Sequence, residues 1–441
     1  MTAFQTTGDV VSWGRVTRGL HRVARPAWPE QVAALAAEAG ATPGKGLAIG
    51  LSRSYGDSGL NPGGALIGMA GLDRVHAFDT ATGILCADAG LSLGALIGLA
   101  LPRGFFPPVV PGTRFVTLGG AVANDIHGKN HHGAGTFGRH VTRLGLRRTD
   151  GSFHELVPSD PLFGATVGGL GLTGVIEWVE LRLTPVQGAW LDAEDVPFGD
   201  LDGFFDIAAA SEGFAHTVAW IDCTQGGASL GRGLFSRGNW RADPDRTVHS
   251  AKRTPALPLD APSFALNALT LKAFNSTRYA LKSQRAGMWR THYAPFFFPL
   301  DAIGGWNRLY GARGFYQYQC VLPPPAARDG VRALLQQIAR SGQGSFLAVL
   351  KTFGPLPSPG MLSFPREGAT LALDFANKGD DTLGLLARLD AVVREGGGRL
   401  YPAKDGRISA AMFENGYPNL SSFRRHLDPG LSSGFWKRVQ S

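Results

Sequence analysis

Cysteine is scarce: Cys86, Cys223 and Cys320 are the only three in 441 residues, and they lie far apart. An odd count without metal-ligand spacing excludes a disulfide framework and reads as reduced, mostly buried thiols of a cytoplasmic protein. Long hydrophobic runs are missing too, since nothing approaches the roughly 18 apolar residues that cross a bilayer. The opening MTAFQTTGDVVSWGR has no basic region followed by an apolar one, so no signal peptide is expected. The expectation is a soluble protein, peripheral at most, at the inner face of a membrane. No Lys/Arg-rich run or nucleic-acid motif occurs, which argues against nucleic acid as a partner. The chain lacks G-x-S-x-G, which removes the serine-hydrolase reading, and it has no internal repeat or low-complexity tail.

What it has in quantity is glycine and proline, 61 and 28 residues, in a chain 44% hydrophobic and 18% charged. Such a composition is globular and turn-rich, so an α+β fold built on sheets is expected rather than a helical bundle. The formal charge of +8 favours anionic substrates, phosphates or a membrane surface. Residues 29–41 read as a short amphipathic helix, 47–50 as a buried strand, and 91–101 as a second helix. Strand-like runs return from 141 to 183, closing a first unit at residues 1–185. Residues 186–390 mix strands (HTVAWIDC, GFYQYQCVL, SFLAVLKTFG, ATLALDFA) with helices, as expected of a substrate domain with an antiparallel sheet. Inside it, residues 257–298 are proline-bounded, apolar and basic, with Lys272, Arg278, Lys282, Arg285 and Arg290. They read as a mobile lid or lipid-headgroup surface, or more plainly as a helix packed on the core. Residues 391–441 resemble the first unit in motif density and are expected to return to it.

The chemistry concentrates in PGTRFVTLGGAVANDIHGKNHHGAGTFG, Pro111 to Gly138. Glycines let backbone N–H groups approach a ligand and threonine hydroxyls add donors, which suits a cofactor pyrophosphate as well as a plain surface loop. Asp125, His127, His131 and His132 make a poor metal shell, because adjacent histidines rarely reach one ion, and no metal is expected. A literal G-x-G-x-x-G at Gly169, Gly171 and Gly174 follows a probable helix and precedes a strand. That is the reverse of the dinucleotide fingerprint, so a Rossmann unit is rejected.

Several long stretches together resemble the vanillyl-alcohol-oxidase (PCMH-type) flavoprotein superfamily. They are SRSYGD, the 111–138 segment, ATVGGLGLTGVI, PLDAIGGWNRLYG, YQYQ and GGRLYPAKD, and the likeness runs from SWGR at Ser12 to the terminal FWKR. Within that superfamily the chain is most similar to the branch that oxidises polyprenyl-phosphoryl ribose. The resemblance implies an α+β, two-domain flavoprotein with an FAD domain of small sheets and helices. It also implies oxidation of the C2 hydroxyl of polyprenyl-phosphoryl-β-D-ribose to the 2-keto intermediate by hydride transfer to flavin N5. This is the first half of epimerisation to an arabinose donor for the cell wall, completed by a separate NAD(P)H-dependent keto-reductase. The alternatives are an oxidase or dehydrogenase of a soluble polyol, aldonolactone or other sugar, and a catalytically dead scaffold.

Carried onto this sequence, the resemblance puts Arg53, Ser54, Tyr55, Gly56 and Asp57 along FAD. Pro111, Gly112, Thr113, Thr117, Gly120, Asn124, Ile126, His127 and Gly128 would line its diphosphate and ring, with Val175 or Ile176, Tyr401 and Lys404 completing the site. Tyr55 stands where many members have the histidine that bonds FAD, which implies a non-covalent cofactor. Lys404 and His127 are the expected catalytic residues, with Lys404 positioning the hydroxyl, stabilising an alkoxide or accepting its proton. Lys129, Trp220, Phe297, Gln317, Gln319 and Lys351 would face the substrate, Lys129, Lys351 and the basic middle segment offsetting a phosphate. Two positions depart from the pattern. Ala372 replaces a cysteine that nitroaromatic inhibitors modify, so that inhibition is expected to be lost. Phe297 replaces a usual tyrosine, removing a hydroxyl near the substrate.

Overall fold

The computed structural model describes residues 3–249, 255–262 and 266–440. In the first unit, helix Gln31–Gly40 buries Val32, Leu35, Ala36 and Ala39, the i, i+3, i+4, i+7 stripe of an amphipathic helix. It packs on a four-stranded sheet in the order Gln5–Thr7, His21–Ala24, Ala65–Gly68, Gly46–Ile49, whose last three strands run parallel. A five-stranded antiparallel sheet follows, with Val175–Arg182 at its centre between Ile84–Asp88 and Val141–Arg147. Helix Leu93–Ala100 starts at Ser92, whose side chain accepts from the Ala95 N–H, a normal N-cap. The G-x-G-x-x-G glycines join helix Pro161–Thr166 to strand Val175–Arg182, and Gly171 and Gly174 have positive φ.

The second unit is one eight-stranded antiparallel sheet. Its order is Gly287–His292, Trp190–Phe198, Gly233–Trp240, His216–Ile221, Val349–Phe353, Gly368–Ala376, Phe315–Leu322, Arg399–Leu400. Side chains alternate between its faces. Tyr318, Cys320, Leu350, Leu371 and Leu373 join a large core with helices Pro324–Ser341 and Asp380–Glu395. Their sequence neighbours Gln317, Gln319, Lys351, Ala372 and Asp374 face the other way, into a cavity between the units. Register then sets neighbours across the strands: Gln317 opposite Asp374, Gln319 opposite Ala372, Lys351 opposite Thr370.

Two segments take a more detailed layout than the sequence suggests. Residues 257–298 are not one lid, and 263–265 of them lie outside the described residues. Gly287–His292 is a strand of the sheet, and Tyr293, Phe296, Phe297 and Phe298 are buried in a core cluster. Helix Ala268–Ser283 presents an open face, with Leu269 and Leu281 exposed. The C-terminal residues, for their part, do more than return to the first unit. Phe413, Tyr417, Phe423, Phe435 and Trp436 share the second unit's core. Meanwhile Asp428 accepts from Thr149, Leu431 bridges to Gly46, and Arg438 pairs with Asp57. The tail therefore clasps both units.

Candidate active site

Between the units lies a cavity of about 980 Å³, at the upper end of the roughly 300–1,000 Å³ usual for ligand sites. The first unit lines it with backbone and hydroxyls: Gly50, Ser52, Ser54, Ser58, Gly112, Thr113, Thr117 and Gly120. An added Cβ at Gly112 would meet no protein atom within 4 Å, so glycine there keeps open a space that the protein itself does not fill. Backbone strain gathers at the same wall. Ser52 and Leu170, both lining it, have φ of 52° and 58°, and Asp125, between the lining residues Asn124 and Ile126, has 38°. Left-handed backbone costs a non-glycine residue about 1–2 kcal/mol, and such residues cluster at ligand clamps. Asp125 is held there by its buried carboxylate, which accepts from Ser363 Oγ at 2.5 Å and the Gly138 N–H at 2.8 Å.

Every residue singled out as a site residue lines this cavity except Asp57; of the two alternatives at the end of ATVGGLGLTGVI it is Ile176, while Val175 is buried in a core cluster. Asp57 turns away because Arg438 Nη2 donates to it at 2.7 Å. It forms an ion pair of the clasp and does not itself line the cavity. Gly56 beside it is required by packing: a Cβ there would lie 1.5 Å from the Asp405 carbonyl oxygen. The SRSYGD loop is thereby locked to the PAKDG loop, with Tyr55 N–H donating to Ala403 O at 2.9 Å.

Lys404 is half-buried with its Nζ 4.0 Å from the centre of the Tyr55 ring, and that Nζ makes no hydrogen bond to a described residue. Burial pushes its pKa down to about 8 against the opposing pull of Asp374. Sequence reasoning misses Asp374 as a site residue, although it lies two positions beyond Ala372 on the same face of the strand. Its carboxylate accepts from Gln317 Nε2 at 2.7 Å and Tyr310 Oη at 3.3 Å, and burial pushes it up to about 7.

His127 sits on the other side of Gln319. The Gln319 amide is 3.0 Å from Nε2 and 3.3 Å from Thr370 Oγ1, while Lys351 Nζ is 3.2 Å from Nδ1 and donates to Gly128 O at 3.3 Å. Burial, then Lys351, holds His127 well below its usual pKa, and burial pushes Lys351 down to about 7. A neutral imidazole donates from one nitrogen and accepts at the other. With the Gln319 amide nitrogen donating to Nε2, the imidazole proton belongs on Nδ1, facing a neutral Lys351. Lys129 donates to Phe296 O with its Nζ 4.6 Å from that ring. Phe297, which also lines the cavity, packs on Phe106, Trp240 and His216. His131 is buried against Phe353, and His132 Nε2 bonds Phe214 O, so neither joins His127 at the cavity.

Residues 21–156 match the FAD binding domain family, and the glycine- and hydroxyl-lined wall of that unit fits an extended dinucleotide. Fold and site define an FAD-dependent oxidoreductase of the α+β, two-domain kind. The chain is 39% identical to the decaprenylphosphoryl-β-D-ribose oxidase of Mycolicibacterium smegmatis, over 99% of this chain and 98% of that one. An uncharacterised Streptomyces coelicolor protein is 34% identical over 76% of this chain and 94% of its own, and a Streptomyces alditol oxidase 26% over 95% of each. The chain belongs to the decaprenylphosphoryl-β-D-ribose oxidase family.

Proposed function

We propose that this enzyme oxidises the C2 hydroxyl of a polyprenyl-phosphoryl-β-D-ribose and releases the 2-keto sugar to a separate NAD(P)H-dependent keto-reductase. The observation that carries the reading is the Lys404 ammonium, which lines the cavity without a hydrogen-bond partner among the described residues and is acted on by the Asp374 carboxylate. FAD, when bound, supplies the acceptor for the hydride, and the residues assigned above on the first unit's wall would hold it. Lys404 takes the hydroxyl proton, because a lysine whose pKa lies near 8 is partly neutral at physiological pH. Asp374 orients it, and Gln317, Gln319 and neutral His127 fix the sugar hydroxyls. Non-covalent cofactor binding is supported by the wall itself. Among its described residues His127 is the one histidine and there is no cysteine, and both His127 nitrogens have neighbours within hydrogen-bond distance. The open, apolar face of helix Ala268–Ser283 supports contact with the membrane that holds the lipid substrate.

A soluble polyol is the second reading, favoured by Phe297 in place of a hydroxyl-bearing residue and by the alditol oxidase relative. Anaerobic absorption spectra separate the two. Flavin bleached by polyprenyl-phosphoryl ribose, and recovered free after denaturation, is the expected result. Flavin that stays oxidised with that lipid but bleaches with free polyols would transfer the assignment to the second reading.

A further inference from the structure

Lys129, Arg278 and Lys282 line the cavity together with the carboxylate of Asp195. On sequence grounds a substrate phosphate falls to Lys129, Lys351 and the basic middle segment as a whole. In the structure the two lysines have protein partners: Lys129 donates to Phe296 O and Lys351 to Gly128 O. Arg278 differs. It lies on the inward side of helix Ala268–Ser283 with the buried Leu271 and Asn275, one turn before Lys282. Its guanidinium carbon is 4.8 Å from the centre of the Trp220 ring. Its Nε is buried without a hydrogen-bond partner, and it forms no ion pair with a described residue. Asp195, the carboxylate that acts on it, accepts from Ser236 Oγ at 2.5 Å and is shared with Lys129. One carboxylate thus serves two cations, Arg278 and Lys129.

A desolvated guanidinium without a fixed counter-ion is costly, and its planar fork matches phosphate oxygens two at a time. We infer that Arg278, stacked on Trp220 and assisted by Lys282, is the subsite for the phosphodiester of the substrate. This deepens the proposed function and rests on it for the substrate class. The placement also gives the isoprenoid chain a way out. The helix that turns Arg278 inward turns Leu269 and Leu281, 77% and 55% exposed, to solvent.

The test is calorimetric titration of the FAD-loaded enzyme with farnesyl phosphate and with farnesol, for the wild type, Arg278→Ala and Arg278→Lys. Losing a charge-assisted, bidentate contact weakens binding about 10- to 100-fold. The expected result is a loss of that size for farnesyl phosphate with Arg278→Ala, partial recovery with Arg278→Lys, and a much smaller change for farnesol. Equal losses for both ligands, or farnesyl phosphate binding unchanged, would overturn the subsite. If Arg278→Ala does not fold, Lys282→Glu, one turn further along the same face and more exposed, carries the same comparison. Selective weakening of farnesyl phosphate supports the subsite, and unchanged binding refutes it. Oxidation of farnesyl-phosphoryl ribose, followed in parallel, separates this inference from the one beneath it. Arg278-dependent binding without oxidation by the wild type leaves the subsite standing and removes the function. Oxidation indifferent to Arg278 does the reverse.

Discussion

At the scale of single residues the site turns on protons. Lys404 has its pKa pushed down to about 8, and Asp374 opposes that descent by favouring the ammonium. If Lys404 takes the proton it must be neutral, so kcat/KM rises with pH through an apparent pKa near 8 and levels off above it. Removing the Asp374 charge removes the pull that raises Lys404, so Asp374→Asn moves this limb to lower pH. Lys404→Arg keeps a cation but provides no base, because guanidinium does not deprotonate in proteins. It should lower kcat by about 10²–10⁴-fold while flavin content is retained. A pH–rate series on these two variants checks both points. Near-full activity in Lys404→Arg would make the role of Lys404 electrostatic, and a limb that stays in place in Asp374→Asn would break the link between the pair. The two groups titrate together, so the fitted values belong to the pair rather than to either residue.

Among the elements, loops lock the site more tightly than strands do. Gly56 and Gly112 both line the cavity, and their surroundings make opposite predictions. At Gly56 an alanine Cβ would stand 1.5 Å from Asp405 O, backbone against backbone, and the SRSYGD and PAKDG loops would have to part. Overpacking of this kind costs about 1–3 kcal/mol, so Gly56→Ala should lower both the melting temperature of the FAD-free protein and its FAD affinity. At Gly112 the same Cβ meets no protein atom within 4 Å. Gly112→Ala should leave the FAD-free protein as stable as before and weaken FAD alone. Differential scanning fluorimetry and flavin titration measure the two separately, and unchanged FAD affinity in Gly112→Ala would move the cofactor off that wall. This contrast also marks what is legible in the sequence. Period-two alternation in YQYQC and LALDF is enough to put Gln317 with Gln319, and Ala372 with Asp374, on common faces. Register is not legible in the same way. Gln317 faces Asp374 only because strand Phe315–Leu322 pairs with Gly368–Ala376, across an intervening helix and strand. Asp57 escapes a sequence-based placement for a similar reason, since its partner Arg438 lies 381 residues away and no local pattern announces such a pair.

For the whole molecule the question is how a chain of this kind meets a lipid. No helix among the described residues is long and apolar enough to cross a membrane. Helix Ala268–Ser283 and the strand after it expose Leu269, Leu281, Met288 and Trp289, with Lys272 and Arg285 also exposed among them. Burying one large apolar side chain is worth about 1.5–3 kcal/mol, and each basic residue near an anionic surface about 1 kcal/mol. A patch of this size therefore gives reversible binding that weakens as salt screens the charges. The overall charge of +8 acts in the same direction. The enzyme should co-sediment with phosphatidylglycerol-containing vesicles at low salt, and much less with phosphatidylcholine alone. Replacing Leu269, Leu281 and Met288 together by serine should abolish that binding and raise KM for a long-chain substrate presented in vesicles. The same variant should keep its KM for a short-chain, water-soluble analogue, because these side chains stand outside the cavity. Loss of activity on both substrates would instead mean that the helix supports the site's structure, and vesicle binding that survives the triple change would put the membrane face elsewhere on the molecule.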